Sequence, residues 1–287
     1  MSQLVPEIAR LRLLLDAHRK AGKTIGLVPT MGALHAGHRR LMEVARPESD
    51  VVVTTIFVNP TQFDRTGDLE QYPKTLDQDL ALCREVGSDL VFAPTAAEMY
   101  PQPQLAWVDV PELTTHLCGA GRPGHFRGVA TVVTKLLLIA EPDRAYFGEK
   151  DAQQLAVIRR LVRDLNIPVT VVGVPTVREP DGLAISSRNR HLNAYERLQA
   201  RALSQALFAA RDAILAGERS VKKIHSAVAP FFDGVRLEYC SIVDPQTLTP
   251  VEHIESPVLI AGAIWLGTTR LIDNVTVSVG GSAGEAG

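Results

Sequence analysis

Thr24-Ile25-Gly26-Leu27-Val28-Pro29-Thr30-Met31-Gly32-Ala33-Leu34-His35-Ala36-Gly37-His38 is the stretch on which the fold turns. The short apolar run 24–28 reads as a buried strand. From Leu34 onward, Leu34, Leu41, Met42 and Ala45 recur on one face of a helix. Two imidazoles three residues apart therefore fall in the first turn of a helix, at the carboxyl edge of a strand. Gly32 stands ahead of the pair and Gly37 between them. Such a place offers unpaired main-chain N–H groups and the positive end of a helix dipole, which attract phosphate. Glycine lets the backbone approach a ligand, and imidazoles donate hydrogen bonds to phosphoryl oxygens as negative charge develops on them. Taken alone, the pair fits capping, packing or half of a metal site equally well, so the rest of the chain has to decide.

Working outward, apolar β-rich runs at 24–28, 51–58, 90–93, 144–147 and 169–174 alternate with helical patterns at 34–46, 75–86, 129–139 and 152–165, after an opening helix at 5–20. Continuous Val/Ile runs such as 51–58 suit strands buried on both faces. The alternation predicts an α/β fold: a doubly wound, Rossmann-like parallel sheet over residues 1–176, with ligands at the carboxyl ends of the strands. His35, Asn59 and Glu149 each fall just past a strand end. From 177 the pattern changes to a long helix at 194–216, a shorter one at 221–232 and strands at 235–243, 258–266 and 271–279, predicting a smaller C-terminal α+β domain over 177–287. The Gly/Ser/Ala-rich tail 280–287 reads as disordered.

Bulk properties remove several function classes. A net charge of −2 gives no general basic field, which argues against nonspecific nucleic-acid binding. The longest apolar runs, 136–140 and 258–266, are too short to span a bilayer, and the charged start is no secretory signal. The cysteines Cys83, Cys118 and Cys240 are odd in number, far apart and in no paired motif, which suits a reducing cytoplasm and argues against a disulfide framework and a zinc knuckle.

Four more segments carry chemistry. In Phe57-Val58-Asn59-Pro60-Thr61-Gln62-Phe63, Pro60 stiffens a loop from which two amides project, suited to a small polar ligand or to local backbone. Arg122-Pro123-Gly124-His125-Phe126-Arg127-Gly128 is a Gly/Pro loop with two arginines, an anion clamp or a solvated connection. In Phe147-Gly148-Glu149-Lys150-Asp151-Ala152-Gln153-Gln154, Asp151 suits an N-cap, Lys150 stands before the helix as a point charge, and Gln154 shares a face with Asp151. Asp181-Gly182-Leu183-Ala184-Ile185-Ser186-Ser187-Arg188-Asn189 puts two hydroxyls and a guanidinium in a row, a phosphate grip or an ordinary turn.

In matching order over residues 24–192, PTMGALHAGH, FVNPTQF, YPKT, RPGHFRGVATVV, FGEKDAQQL and DGLAISSRNRHL together resemble the pantoate–β-alanine ligases, within the His-x-Gly-His nucleotidyltransferases. Residues 266–274 also resemble that family's ending. Departures are small: Ala36 stands where an acidic residue is frequent, and Ile185 where methionine is usual. The resemblance implies ATP-dependent ligation of pantoate and β-alanine to pantothenate through pantoyl adenylate, with AMP and pyrophosphate released. It further implies ATP as co-substrate, Mg²⁺ with metal ligands unknown, a cytoplasmic location and a homodimer, with no nucleic acid and no membrane. By the same resemblance His38, His35, Lys150 and Arg188 are the catalytic groups. ATP is met by Met31, Gly32, Ala33, Leu34, His35, Ala36, Gly37, His38, Gly148, Glu149, Lys150, Asp151, Val177, Ile185, Ser186, Ser187 and Arg188, under a closing C-terminal domain. Gln62, Gln154 and Asn59 serve pantoate and β-alanine. The alternatives are another nucleotidyltransferase with the same histidine signature, and an ATP-binding module without catalysis.

Overall fold

The computed structural model describes residues 2–63, 66–70 and 72–279; the tail 280–287, expected to be disordered, lies outside the described residues. The chain divides into two units. The first comprises Met1–Pro111, Gly121–Glu149 and Gln154–Val177. Its strands are β1 (Gln3–Val5), β2 (Ile25–Thr30), β3 (Val51–Ile56), β4 (Leu90–Phe92), β5 (Arg144–Gly148) and β6 (Thr170–Val174), all parallel in the order β1-β4-β3-β2-β5-β6. Val28, Val52, Val91 and Tyr146 form one buried face, covered by Leu41, Met42 and Ala45 of helix Ala36–Glu48 and by Leu80 and Cys83 of helix Leu76–Val86. Successive strand residues alternate faces, so Leu27 and Val53, both fully buried, turn to the other side. Helix His125–Ala140 packs there against β2 and against helix Ile8–Lys20.

The connections leave β2 toward β3 and β4 on one side and return to β5 on the other, so the strand order reverses between β2 and β5, where open parallel sheets bind ligands. Local chemistry widens that place. Pro29 has no N–H to offer a ladder, and β2 pairs with β5 only through Gly26 and Leu27, while its pairing with β3 runs on to Thr30. The two strands thus part toward their carboxyl ends.

The second unit comprises Glu112–Ala120, Lys150–Gln153 and Arg178–Gly287. Its antiparallel sheet is β7 (Arg236–Val243), β8 (Val258–Leu266) and β9 (Thr269–Val277). Helix Arg201–Leu215 lies on this sheet through Leu203, Ala206, Leu207, Ala210 and Ile214. It sits so close that a Cβ on Gly262 would stand 2.7 Å from Leu203 Cδ1.

Some boundaries differ from expectation. The helix expected at 194–216 is two, Ala194–Gln199 and Arg201–Leu215. The helix expected from 129 starts at His125, after a left-handed Gly124 (φ 78°). Residues 3–5, the last of which falls in the opening helix expected at 5–20, form edge strand β1, too short to show a period.

Candidate active site

The loop from β2 to helix Ala36–Glu48 is bent by two successive left-handed residues, Gly32 (φ 84°) and Ala33 (φ 51°). A Cβ on Gly32 would press on Asp79 Oδ2 and Ile56 Cγ2, 3.0 and 3.1 Å away. Ala33 adopts a conformation costly for a residue with a Cβ, and Asp79 holds it there. The Asp79 carboxylate, almost fully buried, accepts the N–H groups of Ala33 at 3.0 Å and Leu34 at 2.8 Å, and the Thr75 hydroxyl at 3.2 Å.

His35 is then the N-cap. Its Nδ1 accepts the N–H of Gly37 at 3.1 Å, and Nδ1 of His38 accepts the N–H of His35 at 3.3 Å, a reciprocal capping box built from two imidazoles. The main-chain N–H groups of His35 and Gly37, which the sequence suggested were open to phosphate, are therefore taken by the rings. The compensation is tautomeric: a ring that accepts at Nδ1 carries its proton at Nε2 when neutral. The ring centroids are 4.1 Å apart.

Beyond β3, Asn59 caps the short 3-10 turn Pro60–Gln62. Asn59 is fully buried. Its Nδ2 donates to Gln62 Oε1 at 3.0 Å and to the Gly128 carbonyl at 3.2 Å, and Gln62 Nε2 meets Met31 Sδ at 3.1 Å. The Gly/Pro loop supports this turn rather than standing apart from it. His125 Nδ1 meets the Gln62 carbonyl at 2.8 Å, so Nδ1 is the protonated nitrogen, and Nε2, 3.2 Å from Arg122 Nη1, accepts. Arg127 stacks over Trp107. Gly148 ends β5, Glu149 begins the next 3-10 turn, and Gln154 is half-buried in helix Ala152–Asp164. Val177 is half-buried at the end of this unit.

In the second unit, Lys150, Ser186, Arg188, Asn189, Arg270 and Asp273 line one pocket. Arg270 pairs with Glu238 and Asp273 with Arg178. Lys150 and Arg188 have no carboxylate partner among the described residues, which leaves that pocket cationic. The backbone of Lys150 is braced from β9: Asn274 Nδ2 donates to its carbonyl at 2.8 Å, and the Asp273–Arg178 pair, bonded at 2.6 and 2.9 Å, steadies the neighbouring turn. Ser186 caps the 3-10 turn Ser187–His191 by accepting the Arg188 N–H at 3.3 Å. Ser187 and Ile185 are half-buried beside it. Asp151, exposed, ends the 3-10 turn Glu149–Asp151 rather than capping the helix from an extended position. Gln153 is committed to the Gly119 N–H and to the Leu113 and His116 carbonyls.

The structure thus groups His35 with His38, Met31 with Gln62 and Asn59, and Lys150 with Ser186 and Arg188. Sequence reasoning missed Asp79, which looks like one more polar residue of an amphipathic helix. It also missed Gly128, which lies just ahead of the helix expected at 129–139 and so reads as a loop glycine: a Cβ there would stand 2.4 Å from the Thr61 carbonyl oxygen.

Residues 3–276 match the family described as pantoate-beta-alanine ligase. A pantothenate synthetase from Moorella thermoacetica is 50% identical over 280 residues, covering 96% of this chain and 99% of that one. A bifunctional pantoate ligase/cytidylate kinase from Thermosynechococcus vestitus is 55% identical over 257 residues, 88% of this chain; the matched part spans 50% of that longer protein. The crystal structure of a pantoate-beta-alanine ligase from Francisella tularensis, complexed with beta-gamma ATP and beta-alanine, superposes with a TM-score of 0.78 at 33% identity, covering 96% of this chain and 97% of that one.

Proposed function

Because this chain belongs to the pantoate–β-alanine ligase family, we propose that it joins pantoate to β-alanine at the expense of ATP. The carboxylate of pantoate attacks the α-phosphorus, giving pantoyl adenylate and pyrophosphate. The amine of β-alanine then attacks the acyl carbon, giving pantothenate and AMP. The Francisella relative, solved with beta-gamma ATP and beta-alanine, supports ATP and β-alanine as two of the three substrates.

The first step brings an anion to a polyanion, so the protein must neutralise charge and align the reactants. The observation that carries the reading is the imidazole capping box. With both Nδ1 atoms accepting main-chain N–H groups, His35 and His38 are neutral rings that donate from Nε2, fixed before substrate arrives. This assigns His38 charge stabilisation rather than base chemistry. By likeness to the family, Lys150, Arg188, Ser186 and Ser187 of the second unit are also assigned to phosphate. Main chain at 31–38, with Gly148, Glu149, Asp151, Val177 and Ile185, serves the rest of the nucleotide, and Gln62 and Gln154 take pantoate. The described residues contain no group of three His, Cys, Asp or Glu able to cage a metal. Mg²⁺ would enter with the ATP phosphates as their counter-ion. The reading extends to a cytoplasmic homodimer: three scattered cysteines in no paired motif suit a reducing compartment, and likeness to the family supports two subunits. Among the described residues no helix is long and apolar enough to cross a membrane.

Incubation with ATP, pantoate and β-alanine tests the reading. AMP and pantothenate formed only when all three are present support it. A stable dinucleotide product identifies another nucleotidyltransferase, and ATP binding without pyrophosphate release on adding pantoate identifies a non-catalytic module.

A further inference from the structure

A primary amide has two unlike ends, and which end faces a ligand decides what that ligand is. The hydrogen bonds around Asn59 settle this for Gln62. Asn59 Oδ1 receives three donors: the Tyr100 hydroxyl at 2.8 Å, the Thr61 hydroxyl at 3.0 Å and the Thr61 N–H at 3.4 Å. Only an oxygen suits that position. The other end, Nδ2, therefore faces two acceptors, Gln62 Oε1 and the Gly128 carbonyl. Gln62 Oε1 is consumed as an acceptor in turn, and its Nε2 is left against Met31 Sδ, a weak acceptor that an anionic or hydroxyl oxygen outcompetes.

We propose that Tyr100 is a positioning residue for the ligation: acting through Asn59, it fixes the Gln62 amide with its donor end toward the bound hydroxy acid. The inference rests on the ligase reading above. Tyr100 is itself held. Lys135 Nζ lies 4.2 Å from the centre of its ring and donates to the Met99 carbonyl. Burial raises the pKa of the phenol above its ordinary value, so it keeps its proton through the neutral range and can donate. Without the hydroxyl, Asn59 Oδ1 keeps only the Thr61 donors. With one of three donors gone the amide chain is held less tightly in this sense, and states in which Gln62 turns a carbonyl oxygen toward an anionic substrate gain population.

Steady-state kinetics of the full chain and of Tyr100→Phe test this, with melting as control. The loss of one hydrogen bond's net worth predicts a pantoate KM raised about 3- to 10-fold, an unchanged KM for ATP and a melting point within about 2 °C of the parent. In a Gln62→Ala background the same substitution has no further effect on pantoate use, because the group it orients is gone. Calorimetric titration with pantoate reads the same cycle if turnover of Gln62→Ala is too low to follow. An unchanged pantoate KM in Tyr100→Phe, or an effect that persists undiminished beside Gln62→Ala, overturns the role of Tyr100 alone. A parent chain that forms no pantothenate overturns the ligase reading and this role with it.

Discussion

Two single side chains separate stability from chemistry. His38 caps the N–H of His35 and presents Nε2. Removing a cap costs about 0.5–2 kcal/mol, whereas removing a preorganised donor to developing charge costs about 100- to 1,000-fold in turnover. His38→Ala is therefore expected to lower kcat by at least 100-fold while unfolding in urea shifts by no more than a cap's worth. Equal losses in both measurements would make His38 structural. Asp79 is the converse case. It touches main chain only on the 32–34 loop, where it holds Ala33 left-handed. Asp79→Asn turns one acceptor oxygen into an N–H donor facing an N–H, so a loss of about 1–3 kcal/mol is expected, with a raised KM for ATP because the capping histidines follow directly. Unchanged ATP kinetics would detach this carboxylate from the nucleotide loop. The histidine pair was legible from spacing. Its tautomer and its Asp79 anchor were not, since both depend on which atoms meet in space.

Elements were read well where hydrophobic period is long and poorly where it is short. The buried Val-rich strand and the amphipathic helices declare themselves; three-residue β1 and the 3-10 turns at 60–62 and 149–151 have no period to show. The glycines around 124–128 look like a loop, but they do two different things. Gly124 supplies a left-handed entry to helix His125–Ala140, and Gly128, inside it, lets the helix backbone touch the Pro60–Gln62 turn. Gly128→Ala places a methyl against the Thr61 carbonyl at 2.4 Å, where rigid main chain cannot yield. Helix and turn must separate, at about 1–3 kcal/mol, and the Asn59–Gly128 bond lengthens with them. Denaturant unfolding together with pantoate KM checks this: both should worsen. A Gly128→Ala chain with parental stability and pantoate use would show that the close approach is unimportant.

At the scale of the whole chain, the switch from strand–helix alternation to a helix-then-strand pattern announced two architectures. It did not announce that short segments at 112–120 and 150–153 group with the second unit, because grouping of that kind is made by tertiary contacts such as Gln153 to Gly119 and Asn274 to Lys150. That second unit carries a pH signature. His225, on helix Val221–Val228, has a buried Nε2 with no hydrogen-bond partner among the described residues, and burial lowers its pKa below the ordinary 6.5. The unfolded chain, whose imidazole is solvated, binds a proton more readily. Stability from keeping this ring neutral is thus fully present above 6.5 and falls as pH drops through that value. Carboxylates act later on the same acid limb. Arg270 beside Glu238, Arg197 beside Asp181 and the Ser220 N–H beside Glu218 hold those groups below their ordinary values. Their contributions persist above the ordinary carboxylate range and vanish only beneath it. Two stages of acid destabilisation are expected in melting curves. The melting point of the parent declines between about pH 7.5 and pH 5.5, and His225→Gln, which cannot titrate at that position, declines less across that window. Below about pH 4.5 the two decline together. If parent and variant run parallel from neutrality downward, the buried imidazole is not what the acid limb senses, and the carboxylates alone govern it.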